Sequence, residues 1–255
     1  MNIEYQPASP PIPRTLDLER RLRVAPPEPS PDVVAVAAMF GLGADAEREI
    51  TVIPPCRLTL RGGELVFVTG PSGSGKSTLL GLIHDALAPP GRDGADADAT
   101  IRDRDDPPPR VLAFDALPEL PDRPLVDALP AATLEDRLRL LSLAGLGDAP
   151  VMLRRPAELS DGQRYRLRLA HTMALAELDR GDGLVVVLAD EFGATLDRLT
   201  AANVARQLRK WVRRQTGVCV ACATTHDDLL EPLDPDTLVE VPLGQRVIVH
   251  DARRL

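Results

Sequence analysis

The sequence predicts an α/β fold built on a mostly parallel sheet, and three observations carry that expectation. Short apolar runs alternate along the chain with longer segments of helical spacing. One such run, residues 64–69, passes into a glycine-rich loop and then a segment with an apolar stripe, so strand, loop and helix follow in order. A second run, Leu184-Val185-Val186-Val187-Leu188, is continuously apolar, as a strand covered on both faces should be.

Composition sets the bounds. With 255 residues the chain can form one large domain or two small ones with an ample core. Hydrophobic residues at 44% and charged residues at 27% are ordinary for a globular protein. Aromatics at 3% leave the core to Leu, Val and Ala. No apolar run approaches a membrane span and the start does not read as a signal peptide, so the expectation is a cytoplasmic protein. The net charge of −8 argues against broad non-specific binding to nucleic acid, though not against a local basic face. Three cysteines, Cys56, Cys219 and Cys222, do not suggest a disulfide framework. The C-x-x-C spacing of Cys219 and Cys222 has the form of a redox pair, but in a strand positions three apart point to opposite faces, which favours core thiols.

Taken in order, residues 1–32 are proline-rich with little apolar pattern and read as an extended or disordered tail. Arg20, Arg21 and Arg23 within it suit either a docking arm or a solubilising one. Ordered structure is expected from residue 33, with a strand over 33–39 and a strand pair over 49–60. Residues 89–109 mix Pro, Gly, Asp and Arg without periodicity and read as a surface loop. A short buried strand covers 111–114 and helical spacing covers 131–143 and 162–178. Residues 199–215 read as an amphipathic helix with Val204, Leu208 and Trp211 on one face. Arg206, Arg209, Lys210, Arg213 and Arg214 form a basic stripe on another, either solvated or facing phosphate. Strands over 218–223, 237–241 and 246–250 close the chain.

The loop itself is Gly70-Pro71-Ser72-Gly73-Ser74-Gly75-Lys76-Ser77-Thr78, which fits G-x-x-x-x-G-K-[ST]. Glycines let the backbone turn its N–H groups inward, and the helix start adds a positive dipole end, so the loop is an anion cradle. Lys76 adds a point charge for outer phosphates and the Ser77 hydroxyl can ligate Mg²⁺. Downstream, the run at 184–188 delivers Ala189-Asp190-Glu191. Asp190 is placed to hold Mg²⁺ through water and Glu191 to orient and deprotonate an attacking water; a solvent-facing acidic pair is the plainer alternative. Leu159-Ser160-Asp161-Gly162-Gln163 precedes a helix. Ser160 and Gln163 make a good capping box, and the same stretch suits a second phosphate-binding helix terminus.

Together, and in this order, these residues resemble the ATP-binding cassette (ABC) ATPases over roughly residues 34–242. The stretch 159–163 is similar to the family's signature, 194–197 (Ala-Thr-Leu-Asp197) to its D-loop, and His226 to its switch histidine on the γ-phosphate. Phe40 falls where the family often stacks an aromatic on adenine; a core phenylalanine fits equally. The resemblance has two departures. Asp115 stands where the family usually has a Gln that helps bind Mg²⁺, and the helical segment is compact, with Arg154-Arg155-Pro156-Ala157-Glu158 before the signature. Residues 189–198 also resemble a soluble subgroup of these ATPases, some fused to an acetyltransferase-like domain.

The resemblance implies a P-loop nucleotide-binding domain over 33–250. A RecA-like lobe with an antiparallel β edge would take 33–115 and 184–250, and a helical lobe 116–183. It implies ATP and Mg²⁺ as cofactors, with Glu191, His226 and Lys76 catalytic. Gly70 through Thr78, Phe40, Ser160, Gly162, Gln163 and Asp197 would touch nucleotide, and Ser77, Asp190 and Asp115 the metal. It implies a head-to-tail homodimer that closes on ATP and opens on hydrolysis. Asp115 and the compact helical segment favour a soluble clamp acting on a protein or nucleic-acid partner. The alternative is the ATP-binding subunit of a membrane transporter, partnered by a permease. An intact Glu191 and His226 argue against a third class, a scaffold that binds ATP without hydrolysing it.

Overall fold

In the computed structural model, which describes residues 11–43, 47–88, 99–101, 108–179 and 183–254, the chain opens with two long strands, β1 (Arg14–Val24) and β2 (Arg48–Leu60), separated by helix α1 (Pro31–Met39). β3 (Leu65–Thr69) leads into α2 (Lys76–Leu87), then β4 (Ala99–Ile101) and β5 (Arg110–Ala113). Helices α3 (Leu125–Ala128), α4 (Leu134–Leu143), α5 (Ala149–Met152) and α6 (Asp161–Leu178) follow. The chain then runs through β6 (Val185–Ala189), α7 (Arg198–Val212), β7 (Val218–Ala223), α8 (Leu230–Leu233), β8 (Thr237–Glu240) and β9 (Ile248–Asp251).

The main sheet has the order β5-β6-β7-β3-β8-β9, with β5 to β8 parallel and β9 antiparallel on β8. A separate antiparallel sheet has the order β2-β1-β4. The central strands bury both faces, which is why they read as unbroken apolar runs. Leu65, Phe67, Val185, Val187, Val220 and Cys222 join the core under α6 and α7. Val66, Val68, Val186, Leu188, Cys219 and Ala221 join the opposite core with α2 and the antiparallel sheet. Cys219 and Cys222 therefore lie on opposite faces as unpaired thiols, and burial pushes the Cys219 thiol up to about 12. They are core residues, as the strand period demands.

Three expectations need correction at the N-terminal end. Residues 14–24, expected in a disordered tail, form β1, whose first turns of pleat alternate buried Arg14, Leu16 and Leu18 with half-buried neighbours. The prolines of this region flank the strand rather than interrupt it, and pairing with β2 supplies the backbone partners a lone segment lacks. The first ten residues of that tail lie outside the described residues. Residues 33–39, expected as a strand, belong to α1: Ser30 Oγ accepts the Val33 N–H at 3.2 Å, Pro31 opens the first turn and Asp32 favours its dipole. Residues 49–60, expected as a strand pair, are one strand. Its register against β1 shifts between Leu18↔Cys56 and Arg20↔Ile53, where Pro54 and Pro55 have no N–H to donate to the ladder, and again between Ile53 and Thr51. Of the loop expected over 89–109, β4 and residues 108–109 are described and the rest lies outside the described residues.

The basic stripe of α7 also divides. Arg206, Lys210, Arg213 and Arg214 are exposed, but Arg209 is buried. Its guanidinium donates to both carboxylate oxygens of Asp236, at 2.6 and 3.1 Å, and Asp236 also accepts the Leu65 N–H at 2.9 Å. This pair pins α7 to the start of β3. Burial alone would push the Asp236 carboxyl up, yet the Arg209 and Leu65 hydrogen bonds hold it below the usual carboxylate range. A depressed carboxyl stabilises the fold above its unfolded pKa, about 4, and that contribution is lost as pH falls from there. Asp236→Ala should cost about 3 kcal/mol in urea denaturation at pH 7, because it strands a buried guanidinium. The variant should also lose less stability than wild type on acidification below about pH 4; equal acid limbs would remove Asp236 from this role.

Candidate functional site

The parallel strands β6, β7 and β3 end side by side, and the segments leaving them form one cleft of about 450 Å³. From the β3 end come Ser72, Gly73, Gly75, Lys76, Ser77 and Thr78. Asp190, Glu191 and Ala194 come from the β6 end, Thr224 and Thr225 from β7, and Val52 from β2. Ligands in open parallel sheets bind at this carboxyl edge.

The loop needs its glycines. A Cβ on Gly70, at φ 148°, would lie 2.2 Å from the Val241 carbonyl oxygen, and one on Gly75, at φ 103°, would lie 2.8 Å from Ile53 Cδ1. Gly75 precedes α2 without a side-chain cap, so the first turn of α2 presents N–H groups with no intrahelical acceptor. Lys76 is buried, and its ammonium donates to the carbonyls of Gly70 at 2.8 Å and Pro71 at 2.9 Å. Burial lowers its pKa against the opposing pull of Asp190, Asp227 and Glu191. Ser74 Oγ is buried without a hydrogen-bond partner. An anion cradle with free helical N–H groups, a lysine and an unsatisfied hydroxyl fits a polyphosphate. Ser77, with Asp190, gives the oxygen donors that Mg²⁺ takes beside phosphate oxygens and water.

Glu191 has φ 48°, a left-handed conformation uncommon for a glutamate. Its N–H donates to Asp190 Oδ1 at 2.9 Å, which turns the chain as it leaves β6. His226 follows Thr225, with its N–H donating to Thr224 Oγ1 at 3.2 Å. It is half-buried beside the cleft but not among the residues that line it. Asp227, next in sequence, accepts from Thr69 Oγ1 at 2.5 Å, so it braces the strand that feeds the loop.

The remaining candidates lie elsewhere. Ser160 caps α6: its Oγ accepts the Gln163 N–H at 3.3 Å, and Gln163 Oε1 accepts the Ser160 N–H at 3.0 Å, so the capping box is real. Gly162 follows in the first turn, against the Leu196 side chain. Asp197 caps α7 by accepting the Thr200 N–H at 2.9 Å, and those Thr200 hydrogen bonds lower its pKa. These four residues do not line the cleft of their own chain. Two candidates are placed differently from expectation. Asp115 is exposed and accepts from Arg168 of α6 at 3.0 Å, outside the cleft lining. Phe40 ends α1 at 74% exposure and lines neither the cleft nor the core. Reasoning from sequence missed Val52, which lies at the second register shift of β2, and Thr224, and placed Ala194 only within the stretch similar to the D-loop. A β-branched residue inside a strand gives no signal of a cleft; only the bulge marks it.

A family model described as "ABC transporter" matches residues 54–177. The lipoprotein-releasing system ATP-binding protein LolD of Maricaulis maris is 32% identical over 202 residues, covering 73% of this chain and 84% of that protein. The zinc import ATP-binding protein ZnuC of Jannaschia sp. is 32% identical over 179 residues, covering 69% and 67%. The sulfate/thiosulfate import ATP-binding protein CysA of Synechococcus elongatus is 37% identical over 177 residues, but the chain spans only 45% of that longer protein. Among solved structures, a dimeric post-hydrolysis state of the ATP-binding cassette MJ0796 bound to ADP and Pi aligns with a TM-score of 0.58 at 18% identity, covering 95% of this chain and 99% of that one. The sheet order, the glycine cradle with Lys76, and these relatives agree: the chain belongs to the ABC family of ATP-binding proteins and is an ATPase of that type, using ATP and Mg²⁺.

Proposed function

We propose that this chain is the ATP-binding subunit of a membrane transporter, in which two copies close head to tail around ATP. The observation that carries the reading is the relative named as a lipoprotein-releasing system ATP-binding protein, aligned over most of its length. Import ATP-binding proteins among the other relatives support the same class. Among the described residues no helix is long and apolar enough to cross a membrane. The soluble clamp reading leaned on Asp115 and on the compact helical segment; Asp115 pairs with Arg168, and the relatives favour the transporter class over it.

In this reading residues 33–115 and 184–250, extended by β1, form the nucleotide-binding lobe, and 116–183 the helical lobe. The loop N–H groups and Lys76 bind the outer phosphates, which requires the ammonium to leave the Gly70 and Pro71 carbonyls. Ser77 and Asp190 would hold Mg²⁺, which when bound neutralises charge on the phosphate oxygens. Glu191 accepts a proton from the attacking water, and His226 contacts the transferring phosphoryl group. Ser160, Gly162, Gln163 and Asp197 serve the nucleotide of the other copy, with the α6 dipole facing it. The capping box does not conflict with this. It fixes the α6 terminus while the Ser160 side remains exposed.

Two outcomes follow. Glu191→Gln should lower steady-state phosphate release by at least about a hundredfold and retain ATP binding, so that an ATP-bound dimer accumulates on a sizing column; an unchanged rate would remove Glu191 as the base. Tagged chain isolated from its native cells should fractionate with membranes and bring a polytopic membrane protein with it, whereas a wholly soluble pool with no such companion would contradict the transporter assignment.

A further inference from the structure

We propose that Tyr165 is a positioning residue for Glu191, holding the loop after β6 through its phenolic hydroxyl; the inference rests on the base role given to Glu191 above. Tyr165 lies near the start of α6, and its Oη accepts the Gly193 N–H at 2.8 Å with both groups buried. Gly193 is two residues beyond Glu191. Each N–H of this short stretch has a partner. Glu191 N–H donates to Asp190, Phe192 N–H to the Ala223 carbonyl at 2.8 Å, and Ala194 N–H to the Glu191 carbonyl at 3.0 Å. Of the four, only the Gly193 N–H is held by a side chain from a distant part of the sequence.

A left-handed glutamate persists only where its surroundings dictate the backbone. The Tyr165 hydroxyl is one such dictation, and its ring is itself fixed. It lies 5.0 Å from the Phe114 ring and 6.4 Å from the Phe192 ring, centroid to centroid. Arg168, one turn along α6, sits over Phe114 at 5.4 Å while donating to Asp115. Near its start α6 also comes close to the same loop, near enough that a Cβ added at Gly162 would lie 3.5 Å from the Leu196 side chain. The helix that begins with Ser160 therefore grips the segment carrying Glu191. In the head-to-tail dimer this joins the terminus serving one nucleotide to the base serving the other.

A tyrosine kept only for volume would be replaced by phenylalanine without consequence, so Tyr165→Phe separates the two roles. In the nucleotide-free chain, amide exchange of a peptide spanning 190–197 should quicken about tenfold, because a buried donor loses its acceptor. The kcat for ATP should fall about tenfold while KM stays within about twofold, since loosened geometry at the base acts on the chemical step. Unchanged exchange would overturn the tether. Unchanged kcat, or a loss of kcat matched by a rise in KM, would overturn the positioning role. Glu191→Gln measured alongside keeps the failures apart: full turnover there sinks the base assignment whatever Tyr165→Phe does.

Discussion

Ala189 pairs with Cys222, Cys222 with Phe67, and Phe67 with Leu238, so four parallel strands carry one row of residues at a common level. That register is the constraint on which the rest depends. One residue past the row on β6 is Asp190; on β7 and β3 the chain reaches Thr224 and Gly70 within three residues. The cleft is assembled by strand pairing before any side chain is considered. Both faces of these strands must be buried to keep the register, and the two cores accomplish that from opposite sides.

Charge is then placed on this frame at some cost in solvation. Lys76 is buried with carbonyl oxygens at its ammonium and Asp190, Asp227 and Glu191 in its electrostatic surroundings. A cation so held is ready to exchange neutral acceptors for charged ones, and little reorganisation of the protein is needed when an anion arrives. The Arg209–Asp236 pair keeps the other end of β3 fixed to α7, which anchors the strand that presents the loop. Tyr165 anchors the opposing loop from α6. Both sides of the cleft are thus tied to helices.

Much of this was legible in the sequence where local chemistry decides structure. The glycine loop with Lys76, the apolar run ending in Asp190-Glu191, and the Ser160–Gln163 cap each need only a few neighbouring residues to be recognised. The C-x-x-C pair resolved correctly because the strand period alone separates the two sulfurs. The N-terminal segment was opaque for the opposite reason. β1 is a strand only because β2, over twenty residues away, pairs with it, and the prolines around it mimic disorder. In 33–39 the β-branched valines hid a helix whose signal lay just upstream in Ser30, Pro31 and Asp32. Arg209 looked like its solvated neighbours because its partner, Asp236, is distant in sequence. Asp115 was matched by its place after a strand; in the structure it pairs with Arg168 and does not line the cleft.

The central claim is that the ends of β3, β6 and β7 form a single site for magnesium-bound ATP, with Lys76 as its indispensable cation. Equilibrium titration of the purified chain with ATP, with and without Mg²⁺, tests it directly when wild type and Lys76→Ala are compared. The account predicts saturable Mg²⁺-dependent binding to wild type, weakened by at least about tenfold in the variant, as loss of a charge-assisted contact requires. Equal affinity in the two chains would contradict it.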